Sequence, residues 1–258
     1  MLISWNPKAN LTIASASQDC FIKVWDIKNE VATMDYFLGS HPFALEWNHD
    51  GELMGALSKD KRLHIYDPRI SKRAIVVSAG SQGQKMKWLG SSGQILTMGM
   101  AKNEEGREYS VYDMRYLTKG PVVTRKLDNN RYFNALLKYD ESSGIVQIIN
   151  RGHSTCQYFL YDHGGRGDGS LPALQYLDKY TSRTPIFGMS FLPNKDLNRS
   201  ENEVARALRH NGRQAQYVSF KLPKRFGPLQ GLLDIPESEP ITYESWANSA
   251  SEAQSKRR

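Results

Sequence analysis

Residues 17–26 read Ser17-Gln18-Asp19-Cys20-Phe21-Ile22-Lys23-Val24-Trp25-Asp26. A polar tight turn runs into an alternating strand, and the strand closes on an aromatic residue followed by aspartate. That ending recurs in altered form as Tyr66-Asp67, Tyr112-Asp113 and Tyr161-Asp162, in steps of 41, 46 and 49 residues. A second marker runs in phase with it: Trp5, Trp47 and Trp88, spaced by 42 and 41 residues. Two interleaved markers at a period just above forty describe a repeat of four short strands, the length of a β-propeller blade. The expected fold class is all-β, with about five blade-like units. A ring of blades offers a docking surface more readily than a reaction chamber.

The neighbouring segments extend the pattern. The first unit has predicted strands over 2–5, 11–16 and 21–25, and the second over 43–47, 53–57 and 63–66, with the turn Asn48-His49-Asp50-Gly51 between its first two. A third unit reads as 86–89, 94–98 and 109–112, with a polar loop over 101–107. The fourth reads as 135–137, 145–149 and 156–161. A glycine-rich break from His163 to Gly169 precedes a less regular fifth, with strands near 174–177, 186–191 and 217–222. The blades are expected to occupy residues 1–222. An extension over 223–258 is expected to pack on them and end as a disordered basic tail; it shows no heptad pattern. One local conflict stays open. Ser200-Glu201-Asn202-Glu203 is a capping-box pattern that calls for a helix over 204–208, where a blade wants a strand.

In the first two units the turn aspartate lies seven residues before the terminal one, Asp19 to Asp26 and Asp60 to Asp67. A carboxylate in a tight turn accepts hydrogen bonds from backbone N–H groups that the turn leaves unpaired. Asp19 and Asp60 are therefore read as structural, as are the repeat positions Trp25, Asp26, Tyr66, Asp67, Tyr112, Asp113, Tyr161 and Asp162. The tryptophans read as core packing.

Composition narrows the classes. The chain has 258 residues, 40% hydrophobic and 24% charged. No stretch approaches the roughly 20 apolar residues of a membrane-spanning helix. The first residues lack the basic and apolar regions of a signal peptide. Cys20 and Cys156 read as small buried hydrophobes. The six histidines are scattered and form no zinc-type pair; no phosphate loop of GxxxxGK[ST] form occurs. Arg166-Gly167-Asp168 reads as a flexible loop. The sequence thus offers no catalytic residue, no metal site and no cofactor, and the chain is not expected to be an enzyme. The net charge of +7 points to an acidic partner. Residues 59–73 carry six cations against Asp60 and Asp67, and 199–225 carry seven against Glu201 and Glu203.

The irregular segments resemble the coronin family of actin-binding WD-repeat propellers. Asp67-Pro68-Arg69 after Ser58-Lys59-Asp60-Lys61-Arg62-Leu63 is similar to one coronin blade. Residues 174–193 are similar to the family's segment after its last regular blade. Glu203-Val204-Ala205-Arg206 matches a coronin box, with Asn202 in place of its cysteine. Residues 218–225, Leu229-Gln230 and Ser245-Trp246 resemble the family's closing stretches; the glycine-rich box is weakened to Asn150-Arg151-Gly152-His153. The resemblance implies a non-enzymatic actin-filament-binding scaffold, cytoplasmic and cytoskeleton-associated, with F-actin and other cytoskeletal proteins as partners. The family's usual C-terminal coiled coil is not seen, so coiled-coil oligomerisation is not expected; without an RNA-binding aromatic motif or a long apolar stretch, neither nucleic acid nor a membrane span is expected. The basic face that the resemblance implies is Lys59, Lys61, Arg62, Arg69, Arg206, Arg209, Lys224 and Arg225. The alternative is a generic WD-repeat scaffold in trafficking or signalling that does not bind actin. A coronin ring has seven blades, so the resemblance also leaves three readings of the blade count. The chain is a fragment of a longer protein, which the reading favours, or an arc completed by another chain, or a smaller closed ring.

Overall fold

The computed structural model describes residues 1–70, 75–79, 82–101, 105–131, 134–164, 170–192, 197–222 and 240–255. Its strands form five antiparallel sheets, each in simple up-and-down order. The first sheet is β1 (Leu2–Trp5), β2 (Thr12–Ala16), β3 (Phe21–Asp26) and β4 (Val31–Phe37). The second is β5 (Pro42–Trp47), β6 (Met54–Ser58), β7 (Arg62–Tyr66) and β8 (Ile75–Ser78). The third is β9 (Gln82–Trp88), β10 (Gln94–Met100), β11 (Arg107–Asp113) and β12 (Val123–Asp128). The fourth is β13 (Ala135–Asp140), β14 (Ile145–Asn150), β15 (Thr155–Asp162) and β16 (Ala173–Thr181). The fifth has three described strands, β17 (Gly188–Phe191), β18 (Glu203–His210) and β19 (Ala215–Lys221). A helix, α1 (Tyr243–Ser255), follows. The all-β propeller class and the count of about five blades are those expected.

The sequence reading placed three strands in each unit and overlooked the fourth. The segments that form β4, β8 and β12 face water along much of their length, so their hydrophobic alternation is weak. The strand near 174–177, read as the start of the fifth unit, is part of β16 and closes the fourth sheet instead. The conflict at 200–208 resolves as a strand. A single 3₁₀ turn, Arg199–Glu201, leads straight into β18. Pairing on both sides, Phe191 with Ala207 and Ala207 with Val218, outweighs the local helix signal.

The chain divides into two compact units. In the first unit, which holds the first three sheets and the C-terminal helix, two apolar clusters lie between successive sheets. One joins Ala14, Ala16, Ile22 and Val24 to Leu45, Trp47, Met54, Tyr66 and Trp246. The other joins Leu57, Leu63 and Ile65 to Met86, Trp88, Ile95 and Tyr112. β6 and β10 are thereby covered on both faces and carry apolar residues without alternation. In the second unit Ile145, Ile149, Cys156 and Tyr158 pack with Val204, Ala207, Val218 and Phe220. Burial pushes the Cys156 thiol up to about 12, so it behaves as an inert hydrophobe. Cys20 does not share that fate. It sits half-buried in the β2–β3 turn at φ 64°.

Candidate functional site

The terminal aspartates do the pinning that was expected of the turn aspartates. Asp26 accepts from the backbone N–H of Lys28 at 3.0 Å, Asp67 from Arg69 at 2.9 Å, Asp113 from Arg115 at 2.9 Å and Asp162 from Gly164 at 3.1 Å. Each carboxylate thus closes the turn that leaves its strand, two residues on. For Asp113 the side chain of Arg115, then its backbone N–H and charge, hold the carboxyl below its ordinary value. Asp19 also accepts from the Phe21 N–H, at 3.0 Å. Asp60 takes its bond from a side chain, the Ser58 hydroxyl at 2.5 Å, and not from the backbone.

That bond belongs to a chain of groups beneath the β6–β7 turn. Ser58 Oγ lies 3.1 Å from His64 Nε2, and His64 Nδ1 lies 3.5 Å from the Tyr36 hydroxyl. Ser58 has one proton, and the Asp60 carboxylate takes it. His64 must then donate from Nε2 and accept at Nδ1. Burial, opposed by the charge of Asp60, holds the His64 pKa below its ordinary value, which keeps the ring neutral for this arrangement. The order is carboxylate, hydroxyl, imidazole, with the hydroxyl proton given to the acid and Ser58 only 1% exposed. Such an order fixes a turn and does not ready an oxygen for attack. The sequence reading missed this network, although Ser58, Asp60 and His64 at two- and four-residue spacings were visible in it.

The turn it fixes carries Lys59, Lys61 and Arg62, all exposed. Lys61 occupies the left-handed region at φ 63°, held by Lys61 N–H to Ser58 O at 3.0 Å and Ala79 N–H to Lys61 O at 2.8 Å. The Arg62 side chain is 61% exposed and 3.6 Å from Asp60.

The other cations proposed for the same face go elsewhere. Arg69 has a side chain only 3% exposed. It donates to Asp67 at 2.9 and 2.7 Å, to Glu52 at 3.3 Å and to Ser249 Oγ at 2.8 Å, and lies 5.9 Å over the Trp246 ring. It is a clamp on the C-terminal helix and not a surface charge. Arg209, 4% exposed, donates to Tyr180, Thr184 and Gln216 at 2.8–3.2 Å. Both are corrections to the basic-face reading: Arg69 is tied to carboxylates, and Arg209 is buried among hydroxyl and amide oxygens, so neither offers its charge to solvent. Arg206 keeps partial exposure but is bidentate with Glu203 at 2.9 and 2.6 Å. That contact, with help from Ser219 and the Asn198 N–H, lowers the Glu203 carboxyl to about 2. Lys224 and Arg225 lie outside the described residues, as does Arg166-Gly167-Asp168. Among the described residues no cluster of His, Cys, Asp and Glu could hold a metal ion, and no helix is long and apolar enough to cross a membrane.

No family model matches the chain. It is 28% identical over 254 residues to coronin-like protein crn1 of Schizosaccharomyces pombe, covering 96% of this chain and 40% of that protein. It is 29% identical over 209 residues to coronin-A of Dictyostelium discoideum, covering 79% of this chain and 44% of that protein. The WD40 domain of Toxoplasma gondii coronin superposes with a TM-score of 0.79 at 25% identity, covering 96% of this chain and 63% of that one. The chain is similar to coronins over nearly its whole length and shares the fold of a coronin WD40 domain. It spans about two fifths of the length of these two curated relatives. Of the described residues of the candidate basic face, those that stay exposed are on the β6–β7 turn. The face imagined from charge counts contracts to Lys59, Lys61 and Arg62, with a partly neutralised Arg206.

Proposed function

We propose that the chain binds actin filaments as a non-enzymatic scaffold, and that the β6–β7 turn makes the electrostatic part of the contact. The observation that carries this reading is the presentation of Lys59, Lys61 and Arg62 on one turn, exposed and held in shape by Ser58, Asp60 and His64. A rigid cationic turn loses little freedom on docking, and its field steers encounter with an acidic surface. The coronin relatives supply the choice of actin, and with it a cytoplasmic, cytoskeleton-associated location. Other cytoskeletal proteins are further partners on this reading.

The test is cosedimentation with actin filaments at low salt, comparing the wild type with Lys61→Glu/Arg62→Glu. The reading expects weaker pelleting of the variant and a wild-type affinity that falls as salt is raised. Pelleting unchanged by the double reversal would remove this turn from the contact. No pelleting of the wild type at any salt would leave the chain a generic WD-repeat scaffold.

A further inference from the structure

Arg151, Arg183, Arg209 and Arg213 stand at one end of the fourth and fifth sheets, and no carboxylate among the described residues pairs with any of them. They come from the β14–β15 turn over 151–154, the connection over 182–187 from β16 to β17, and the end of β18 with its turn over 209–214. These segments contain no aspartate, glutamate or lysine. Arg183 and Arg213 are exposed, and their side chains meet no hydrogen-bond or ionic partner among the described residues. Arg151, also exposed, donates from Nε to a neutral acceptor, the Phe187 carbonyl, at 2.9 Å. Arg209 is buried among the neutral oxygens of Tyr180, Thr184 and Gln216, and its Nε has no partner. Elsewhere the same residue type is answered: Arg62, Arg69, Arg107, Arg115 and Arg206 each meet a carboxylate.

Backbone bonds knit the segments into one surface. Gly152 N–H donates to the Ile186 carbonyl at 2.8 Å, Ile186 N–H to His153 at 2.7 Å, and Phe187 N–H to His210 at 2.9 Å. Asn211 Oδ1 accepts from the N–H groups of Arg213 and Gln214 at 3.0 and 2.8 Å, which fixes the turn where Gly212 takes φ 90°. Phe187 lies between these parts. Its carbonyl holds Arg151, its ring is 3.4 Å from where a Cβ on Gly212 would stand, and the residue is 49% exposed. The surface is made of strand ends and turns. Sheets of this kind stack on one another's faces, so a sheet set against the outer face of the fifth leaves these turns open.

Unanswered positive charge held on a fixed surface is costly, most of all for the buried Arg209, and an arriving anion relieves it. The cations here are all arginines. Their planar forks match a phosphate in two contacts each, where a lysine gives a point charge. One exposed aromatic ring is too little to stack a run of bases, but it can carry one apolar side chain of a peptide.

We propose that this surface binds a phosphorylated serine on an extended peptide segment of a partner protein, with the arginines answering the phosphate and Phe187 seating a flanking apolar side chain. The site is separate from the proposed filament contact: it lies in the second compact unit, and the β6–β7 turn lies in the first. Fluorescence anisotropy of the whole chain tests it, using three labelled peptide pools with identical degenerate flanks centred on phosphoserine, serine or glutamate. The phosphoserine pool is expected to bind at least about tenfold more tightly than either of the others, and inorganic phosphate to compete with it. Arg183→Glu/Arg213→Glu is expected to weaken that binding by about tenfold or more. Both side chains are exposed and unpartnered, so the variant keeps its fold, which circular dichroism checks; Arg183→Ala/Arg213→Ala gives a milder loss in the same direction. A wild type that binds none of the pools overturns the proposal. So does equal binding of the serine or glutamate pool, or an affinity untouched by both double variants. Tighter binding of phosphoinositide vesicles or of a single-stranded oligonucleotide than of the phosphoserine pool overturns the choice of a peptide.

Discussion

Trp246→Ala isolates the element that the sequence showed least clearly, the C-terminal helix. Trp246 is 2% exposed within the cluster between the first two sheets. Its ring stands edge-on to Trp47 at 5.8 Å, Arg69 lies 5.9 Å over it, and Nε1 donates to the Gly51 carbonyl at 2.8 Å. Truncation of a buried tryptophan to alanine costs about 3–5 kcal/mol. The structure selects the lower end. The Gly51 carbonyl also accepts from Asn6 Nδ2 at 2.9 Å, so it keeps a partner when the indole leaves. Arg69 keeps its bonds to Asp67, so no charge is stranded. A loss of about 3 kcal/mol lowers the melting midpoint of a unit this size by roughly 6–12 °C. Scanning calorimetry measures it. Trp246→Phe, which keeps most of the burial and loses the hydrogen bond, is expected to cost only about 1–2 kcal/mol. A shift below about 2 °C for the alanine variant would refute the reasoning, because a seated indole cannot be removed that cheaply.

Three further outcomes follow from individual contacts. Asp128→Ala strips the carboxylate from Arg107, whose side chain is 0% exposed, and is expected to cost about 3–5 kcal/mol in chemical denaturation, with Asp128→Asn milder. Glu203 has a folded pKa of about 2 against an ordinary 4.5, so the unfolded chain binds more protons between those values. Its contribution is complete above about pH 4.5 and is lost as pH falls towards 2; an acid titration of stability should be flatter in this range for Glu203→Gln. Arg69→Ala should lower the melting temperature yet leave filament cosedimentation of the folded protein unchanged, whereas Lys61→Glu/Arg62→Glu should do the reverse.

The parts of the fold visible in the sequence are those under packing constraint. The inner three strands of each sheet carry the periodic aromatic and apolar residues, because they are pressed between sheets or against the cores. The outer strands β4, β8 and β12 contribute few buried residues, and nothing in their composition demands a strand. They form because a neighbour offers them unpaired backbone groups. The helix at 243–255 was hidden for a different reason. Its stripe is one buried tryptophan flanked by half-buried Tyr243 and Ala247, too narrow for a periodicity signal. Ser245-Trp246 was noticed as a pair, but a pair does not specify a backbone conformation.

The candidate site separates along another line. A count of cations treats Arg62 and Arg69 alike, although seven residues apart one reaches water and the other closes a carboxylate clamp under a tryptophan. What distinguishes them is the carboxylate two residues before each, and its setting. Asp67 ends a strand and aims its carboxylate at the backbone N–H of Arg69, which brings the guanidinium within reach of the same oxygens. Asp60 spends its strongest bond on Ser58 and leaves Arg62 a looser contact at 3.6 Å. An arginine two residues after the aspartate of an aromatic-Asp ending is thus predisposed to fold back, and Arg115 makes the same bidentate return to Asp113 at 2.9 and 2.5 Å while its side chain stays 73% exposed. Cations in the inner hairpin turn have no such partner position two residues back with a free carboxylate. In this chain the β6–β7 turn thus presents Lys59, Lys61 and Arg62 exposed, on a backbone that its hydrogen bonds hold in shape.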